Sequence, residues 1–293
     1  MSKIRWLTLA FLCFVTFGFA QPHTDIASFT YQYFASNYKS DASLKNQTNQ
    51  YTLNVFLPKE FKNGNVFLLR INTEVLHSTV SNLDESATLS SVSLPIGMQF
   101  ASKSKKWKTI IMAIPKIASN FESAITSKDF QLGALLLENY SPNSNLKLKA
   151  GLYFNNEAFG PFFVPLLGID WKASERLHMF GILPTNYKIE YKVVKGKWYT
   201  GLDFKSLIRS FHLTESQEYV RFDEIVLKLF AECYVYKNVV LSSQIGYSFG
   251  KNPIQYSLLT DEESNANVLY SLTNNYPLFN FGISYRLRND LGK

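Results

Sequence analysis

Between Glu224 and Tyr236 every second residue is apolar or small: Ile225, Leu227, Leu229, Ala231, Cys233 and Val235, set against Glu224, Lys228, Glu232 and Tyr236. After Lys237-Asn238 the alternation resumes, with Val239, Leu241, Ile245, Tyr247 and Phe249 on one side and Ser242, Gln244, Gly246, Ser248 and Gly250 on the other. A period of two is the period of a β-strand, whose side chains leave alternately on opposite faces. Few folds accept strands this long with one wholly apolar face and one face carrying charge and glycine.

The pattern recurs along the chain. Tyr187, Ile189, Tyr191 and Val193 alternate with Lys188, Glu190 and Lys192, and Leu146, Leu148, Ala150 and Leu152 with Lys147, Lys149 and Gly151. Near the end Phe279, Phe281, Ile283, Tyr285 and Leu287 alternate with Asn280, Gly282, Ser284, Arg286 and Arg288. Strands are predicted near 26–38, 50–58, 65–76, 87–101, 107–118, 128–139, 145–155, 163–172, 176–184, 187–195, 197–211, 219–236, 239–250 and 276–288. No comparable stretch reads at helical period, so the fold class is all-β. Strands of soluble domains average about 5 to 6 residues, whereas a tilted strand crossing a bilayer needs about 9 to 11. These match the longer value.

The links add a second signal. Tight connections, among them Asn63-Gly64, a pair suited to a type I′ turn, alternate with longer ones, of which residues 251–275 are the longest. Short turns on one side and long loops on the other describe an antiparallel transmembrane β-barrel of the outer-membrane kind, with about 14 strands. Merging the weak first pair, or the segments around Pro95 and Pro115, would give 12. Tyr31, Tyr33, Tyr51, Trp107, Tyr187, Trp198, Tyr247 and Tyr285 fall toward strand ends, where interfacial girdles sit.

Lys3 and Arg5, the apolar run of residues 6–17 and the small residues of Gly18-Phe19-Ala20 read as a signal peptide, residues 1–20, cleaved before Gln21. Residues 21–293 then form one barrel domain. Cys233 is its only cysteine, expected to face lipid as a small hydrophobe. Expected surroundings are the cell outer membrane of a Gram-negative bacterium, membrane lipid and the outer-membrane assembly machinery.

The segment Gly151–Pro184 (GLYFNNEAFGPFFVPLLGIDWKASERLHMFGILP), followed by GKWYTG at 196–201, resembles an uncharacterised family of bacterial outer-membrane β-barrels, domain of unknown function 6268. The resemblance implies barrel and location; it carries no reaction, ligand or catalytic residue. Such barrels often end on an aromatic residue, and here Arg288–Lys293 follow Leu287.

Three roles remain open. Passive passage of small solutes would use an interior lined by Lys188, Glu190, Lys192, Asp203, Lys205, Glu224, Lys228, Glu232 and Arg286, with Lys147, Lys149, Lys197, Arg288 and Asp129 added. Cations outnumber carboxylates there, so a wet, porin-like lumen would mildly favour anions. An open path would run past Lys188, Lys205, Lys228 and Arg286. The competing arrangement pairs these charges across neighbouring strands in a plugged interior, giving a non-conducting structural or adhesion barrel. A lipid hydrolase is the weakest reading: Ser210 and His212 share a face near the outer rim, but as Ser-Phe-His, and no enzymatic role is expected. His23, His77 and His178 are the other histidines after the signal segment. Loop 251–275, acidic at Asp261-Glu262-Glu263, is expected to be solvated coil. The chain has no glycine-rich phosphate loop, no clustered Cys or His set and no basic helix, so no cofactor, metal or nucleic acid is expected.

Overall fold

A computed structural model describes residues 22–37, 44–80, 86–214, 218–249, 254–258, 268–271 and 275–288. The expected signal peptide, the cleavage position before Gln21 and the Asp261-Glu262-Glu263 triplet lie outside the described residues. Fourteen strands form a closed antiparallel barrel. They are β1 (His23–Asn37), β2 (Lys45–Phe56, continued by Lys59–Glu60), β3 (Val66–Val80), β4 (Ser86–Ser93 and Ile96–Ala101), β5 (Trp107–Ser119), β6 (Phe130–Tyr140) and β7 (Leu146–Glu157). Then follow β8 (Gly160–Lys172), β9 (Leu177–Leu183), β10 (Asn186–Val194), β11 (Trp198–Leu213), β12 (Glu218–Tyr236), β13 (Val239–Phe249 and Ile254–Leu258) and β14 (Val268–Ser271 and Tyr276–Arg288). Each strand pairs with its sequence neighbours, and β14 closes on β1 with His23 opposite Arg288 and Phe34 opposite Leu278. Closure leaves no edge, which is what lets a sheet pair its backbone in a medium that cannot hydrogen-bond it. Among the described residues the one helical turn is the 3-10 segment Ser127–Asp129.

The alternation resolves as an inside-out core. Ile225, Leu229, Ile245 and Phe281 are 43, 56, 53 and 57 % exposed, while Glu190, Glu224, Lys228 and Glu232 are at most 4 % exposed. Greasy residues therefore point away from the protein and charged residues into it, the reverse of a soluble domain. Cys233 lies in register with Trp198 and Leu241 on the outward face and is free. Trp107, Trp171, Trp198, Tyr236 and Tyr285 stand exposed at the short-turn end and Tyr247 nearer the other, the placement of interfacial girdles, while Tyr51 is exposed at mid-strand.

Three details depart from expectation. Asn63-Gly64 is not a type I′ turn: Gly64 has φ +83° and Asn63 does not share a positive φ. The Gly64 N–H donates to the Phe61 carbonyl and the Phe61 N–H to the Asn65 carbonyl. That is a type I turn followed by a left-handed glycine, the usual three-residue hairpin solution. The 251–275 loop is not all coil, because Ile254–Leu258 extends along the outer end of β12 and pairs with Val268–Ser271. Strand pairing continues there because the edge of β12 runs on past the barrel and offers unpaired groups to it. Lys197, expected inside, is exposed in the turn between β10 and β11.

Candidate functional site

Alternation decides which side chains enter the lumen, and the cross-section decides which of them meet. At the short-turn end Glu190 of β10 accepts from Arg288 of β14 at 2.6 Å and lies 3.6 Å from Nδ1 of His23 on β1. The Arg288 guanidinium sits 3.8 Å over the Tyr199 ring. His178 and Asp170 pair nearby at 2.6 Å. One layer further in, Glu232 of β12 receives Lys188 of β10 at 2.7 Å and Arg286 of β14 at 2.5 Å, and Arg286 continues to Asp25 of β1. Lys228 stands 3.6 Å from Asp203. Lys192 is buried on the same face of β10. Most of these pairs join strands that are not neighbours, in contrast to the neighbour pairing expected. A buried charge without a partner is costly, so the lumen is held at the width these side chains can bridge.

Beyond Lys205 the alternation fails. Arg209, Ser210, Phe211 and His212 are consecutively buried, and so are Tyr219, Val220 and Phe222 on the facing part of β12. Both faces of this hairpin end are covered. On one, Arg209 approaches Glu224 at 3.1 Å and Glu74 of β3 at 3.6 Å, ion pairs short of hydrogen-bond geometry, and Tyr276 donates to Glu224. Phe211 joins Phe34, Leu76, Leu89 and Leu278 in an apolar cluster drawn from seven strands. On the other face, the backbone N–H and hydroxyl of Ser210 both donate to Glu157 of β7 at 2.7 Å. His212 Nδ1 lies 2.8 Å from Asp129, and His212 pairs through its backbone with Ser119 of β5. Fourteen spacings of about 4.8 Å make a ring roughly 20 Å across, too wide for β5 and β11 to pair backbones from opposite walls. The outer end of β11 has therefore left the wall and stands inside the lumen as an arm. Burial would raise the Asp129 carboxyl, but hydrogen bonds from the Thr126 N–H and from His212 outweigh it and hold the acid below the ordinary aspartate range.

Between the charge layers lies a polar chamber of about 480 Å³, lined by Asp25, Arg70, Lys188, Lys205, Gln244 and Arg286 among others. Lys228 is not in its lining, so the four residues expected along one open path are divided. Lys205 is half-buried and, among the described residues, has no ion-pair partner. Ser210 and His212 are engaged separately, the serine by Glu157 and the histidine by Asp129. Among the described residues no cluster of His, Cys, Asp and Glu could hold a metal ion. Asp25, Arg70 and Arg209 escaped the sequence reading. The run Leu207–Leu213 mixes polar and apolar residues at no fixed period, so parity gave Arg209 no face.

Residues 18–286 match the family described as domain of unknown function (DUF6268). The chain belongs to this family. The family match runs well beyond Gly151–Gly201, the stretch on which the resemblance first showed, and takes in nearly the whole barrel. No curated protein matches the sequence. Solved structures similar to this family member include an outer-membrane channel from Pseudomonas putida F1 (8 % identity, TM-score 0.46, covering 94 % of this chain and 100 % of that one). Another is outer membrane phospholipase A from Escherichia coli (10 % identity, TM-score 0.39, 88 % and 92 %). A third is the TodX monoaromatic hydrocarbon channel (9 % identity, TM-score 0.41, 91 % and 90 %). At these identities and scores the likeness carries no role over to this chain.

Proposed function

We propose that this protein is an exported outer-membrane barrel that takes small solutes into an internal chamber and, at rest, holds no standing aqueous pore. Export through the residue 1–20 signal and insertion by the outer-membrane assembly machinery belong to the same reading. The observation that carries it is the β11 arm, which fills the outer half of the lumen with the protein's own strand ends and pairs with β5 through its backbone. Toward the other end, Glu232 and Glu190 draw cations from β10 and β14 across the interior. A general porin keeps a wet lumen; here each layer of charge has closed on itself around the chamber. Passage of a solute requires the arm to withdraw. The reading includes no catalytic step, since the Ser210 hydroxyl is held by Glu157 in a site closed to solvent.

Planar-bilayer recording of the purified barrel tests this. The expected trace shows no steady openings; ohmic channel events with anion preference in the unmodified protein would overturn it.

A further inference from the structure

The wall of this barrel has a window. β9 and β10 are short, and their hairpin ends at Pro184-Thr185, where Leu167 is opposite Leu183 and Asn186 opposite Lys205. Above that level β8 continues through Gly160–Leu166 and β11 through Ser206–Leu213 with no strand between them. The gap is closed above by Ser210, whose N–H is taken by Glu157 and whose hydroxyl accepts from the Ala158 N–H. It is closed below by the Thr185 carbonyl, which accepts from the Ser206 N–H. The two closures are four residue steps apart on β11, about 13 Å of strand.

The window lies at the depth of the apolar belt. Ser206 is in register with Ile225, and Phe163 and Leu167, on the outer face of β8 beside the gap, are 64 and 68 % exposed. Lipid cannot satisfy unpaired backbone groups, so two free strand edges at this depth need a special construction. The chain supplies one. The Lys172 N–H points toward β7, donating to the Asn145 carbonyl, and the β7–β8 register runs without a bulge. The N–H positions of Pro161, Phe163 and Pro165 therefore face the gap, and two of those three residues have no N–H.

Behind the window is a cavity of about 400 Å³, lined by Phe162, Val164, Pro184, Leu207 and Ile208, with Lys205 and Asn186 at its inner end. Lys205 and Asn186 also line the polar chamber, so the two spaces meet at a cation. An apolar slot open to hydrocarbon and ending on a lysine without a carboxylate partner suits one kind of guest. We infer that the window binds a single-chain amphiphile with an acidic head group, drawn from the surrounding leaflet, with its chain against Phe162, Val164 and Ile208 and its head on Lys205. The volume sits near the lower end of small-molecule sites, roughly 300 to 1,000 Å³, and suits one chain rather than two.

Photolabelling of the full-length protein in phospholipid vesicles tests the inference, using a diazirine-bearing palmitic acid and the matching long-chain alcohol. The acid probe is expected to label Phe162, Val164, Leu207 or Ile208 saturably and to be competed by palmitic acid. Lys205→Gln should weaken that labelling about tenfold, as loss of one charge-assisted contact would, Lys205→Arg should retain it, and the alcohol should be indifferent to both changes. Labelling spread evenly over the belt at Ile225, Leu229 and Phe281, equal labelling by acid and alcohol, or failure of palmitic acid to compete would overturn it. The β11 side of the window, Leu207 and Ile208, is the base of the arm, so this inference rests on the arm's resting position, while labelling and conductance are read separately. A conducting barrel that still labels saturably would sink only the closed-barrel reading, and a silent barrel without labelling only this one.

Discussion

Glu232 is the residue on which the interior charge arrangement converges. It binds Lys188 and Arg286 at once, is almost fully enclosed, and links β10, β12 and β14, which share no direct ladder except through their neighbours. Two cations stand within hydrogen-bond distance of its carboxylate. Glu232→Ala strands Lys188 and leaves Arg286 with Asp25 alone, and removing one partner of a buried ionic cluster costs about 3 to 5 kcal/mol. The variant is expected to lose its folded, heat-modifiable band on gels at clearly lower temperature than the wild type, while Lys197→Ala, an exposed turn position, should not shift it. Equal melting of the two variants would mean that the lumen network adds nothing to stability.

At the scale of elements, the barrel is uneven. β11 and β12 are the longest strands, β9 and β10 among the shortest, and that mismatch produces both the arm and the window. Over residues 198–205 β11 is wall, bonded to β10 and β12; beyond Lys205 its ladder runs with β12, its other backbone contacts include the Ser206–Thr185 bond and the His212–Ser119 bridge to β5, and it turns inward. The arm is testable by crosslinking. In a Cys233→Ser background, Ser119→Cys with His212→Cys should form an intramolecular disulfide under mild oxidant, whereas Ser119→Cys with Ser243→Cys should not. A wall-bound β11 would reverse the first result. The crossing of β10 and β11 is equally demanding: Gly201 has φ +155°, and a Cβ there would collide with the Ile189 carbonyl oxygen. Gly201→Ala is expected to abolish the folded band, because the colliding atom is backbone and cannot move aside without breaking the ladder.

For the whole molecule, the two faces of each strand have exchanged the roles they hold in a soluble protein, and that exchange was legible residue by residue. Period two over about ten residues, glycine and charge on one face, and short turns alternating with long loops admit a lipid-facing cylinder and little else. Strand order followed without further information, because antiparallel neighbours joined by short links leave only closure to be decided. Parity assigns the nine positions from Lys188 to Arg286 to one face, and in the structure seven of them are buried, with Lys188 and Lys205 half-buried. Parity does not say how wide the cylinder is. A barrel that is round and one that is pinched have the same alternation, so the pairing of Glu232 with Lys188 and Arg286 across the lumen could not be read from spacing. Nor could the inward turn of Arg209–His212, where the period is lost because both faces of the arm are covered and neither must be apolar throughout. The sequence by itself determined strands, faces and closure, since these depend on local geometry and on which residues lipid accepts. Only the tertiary structure decided that the outer end of β11 turns inward, that Lys205 has no ion-pair partner among the described residues and that the wall is open beside β8. Those outcomes depend on differences in strand length summed around the whole ring.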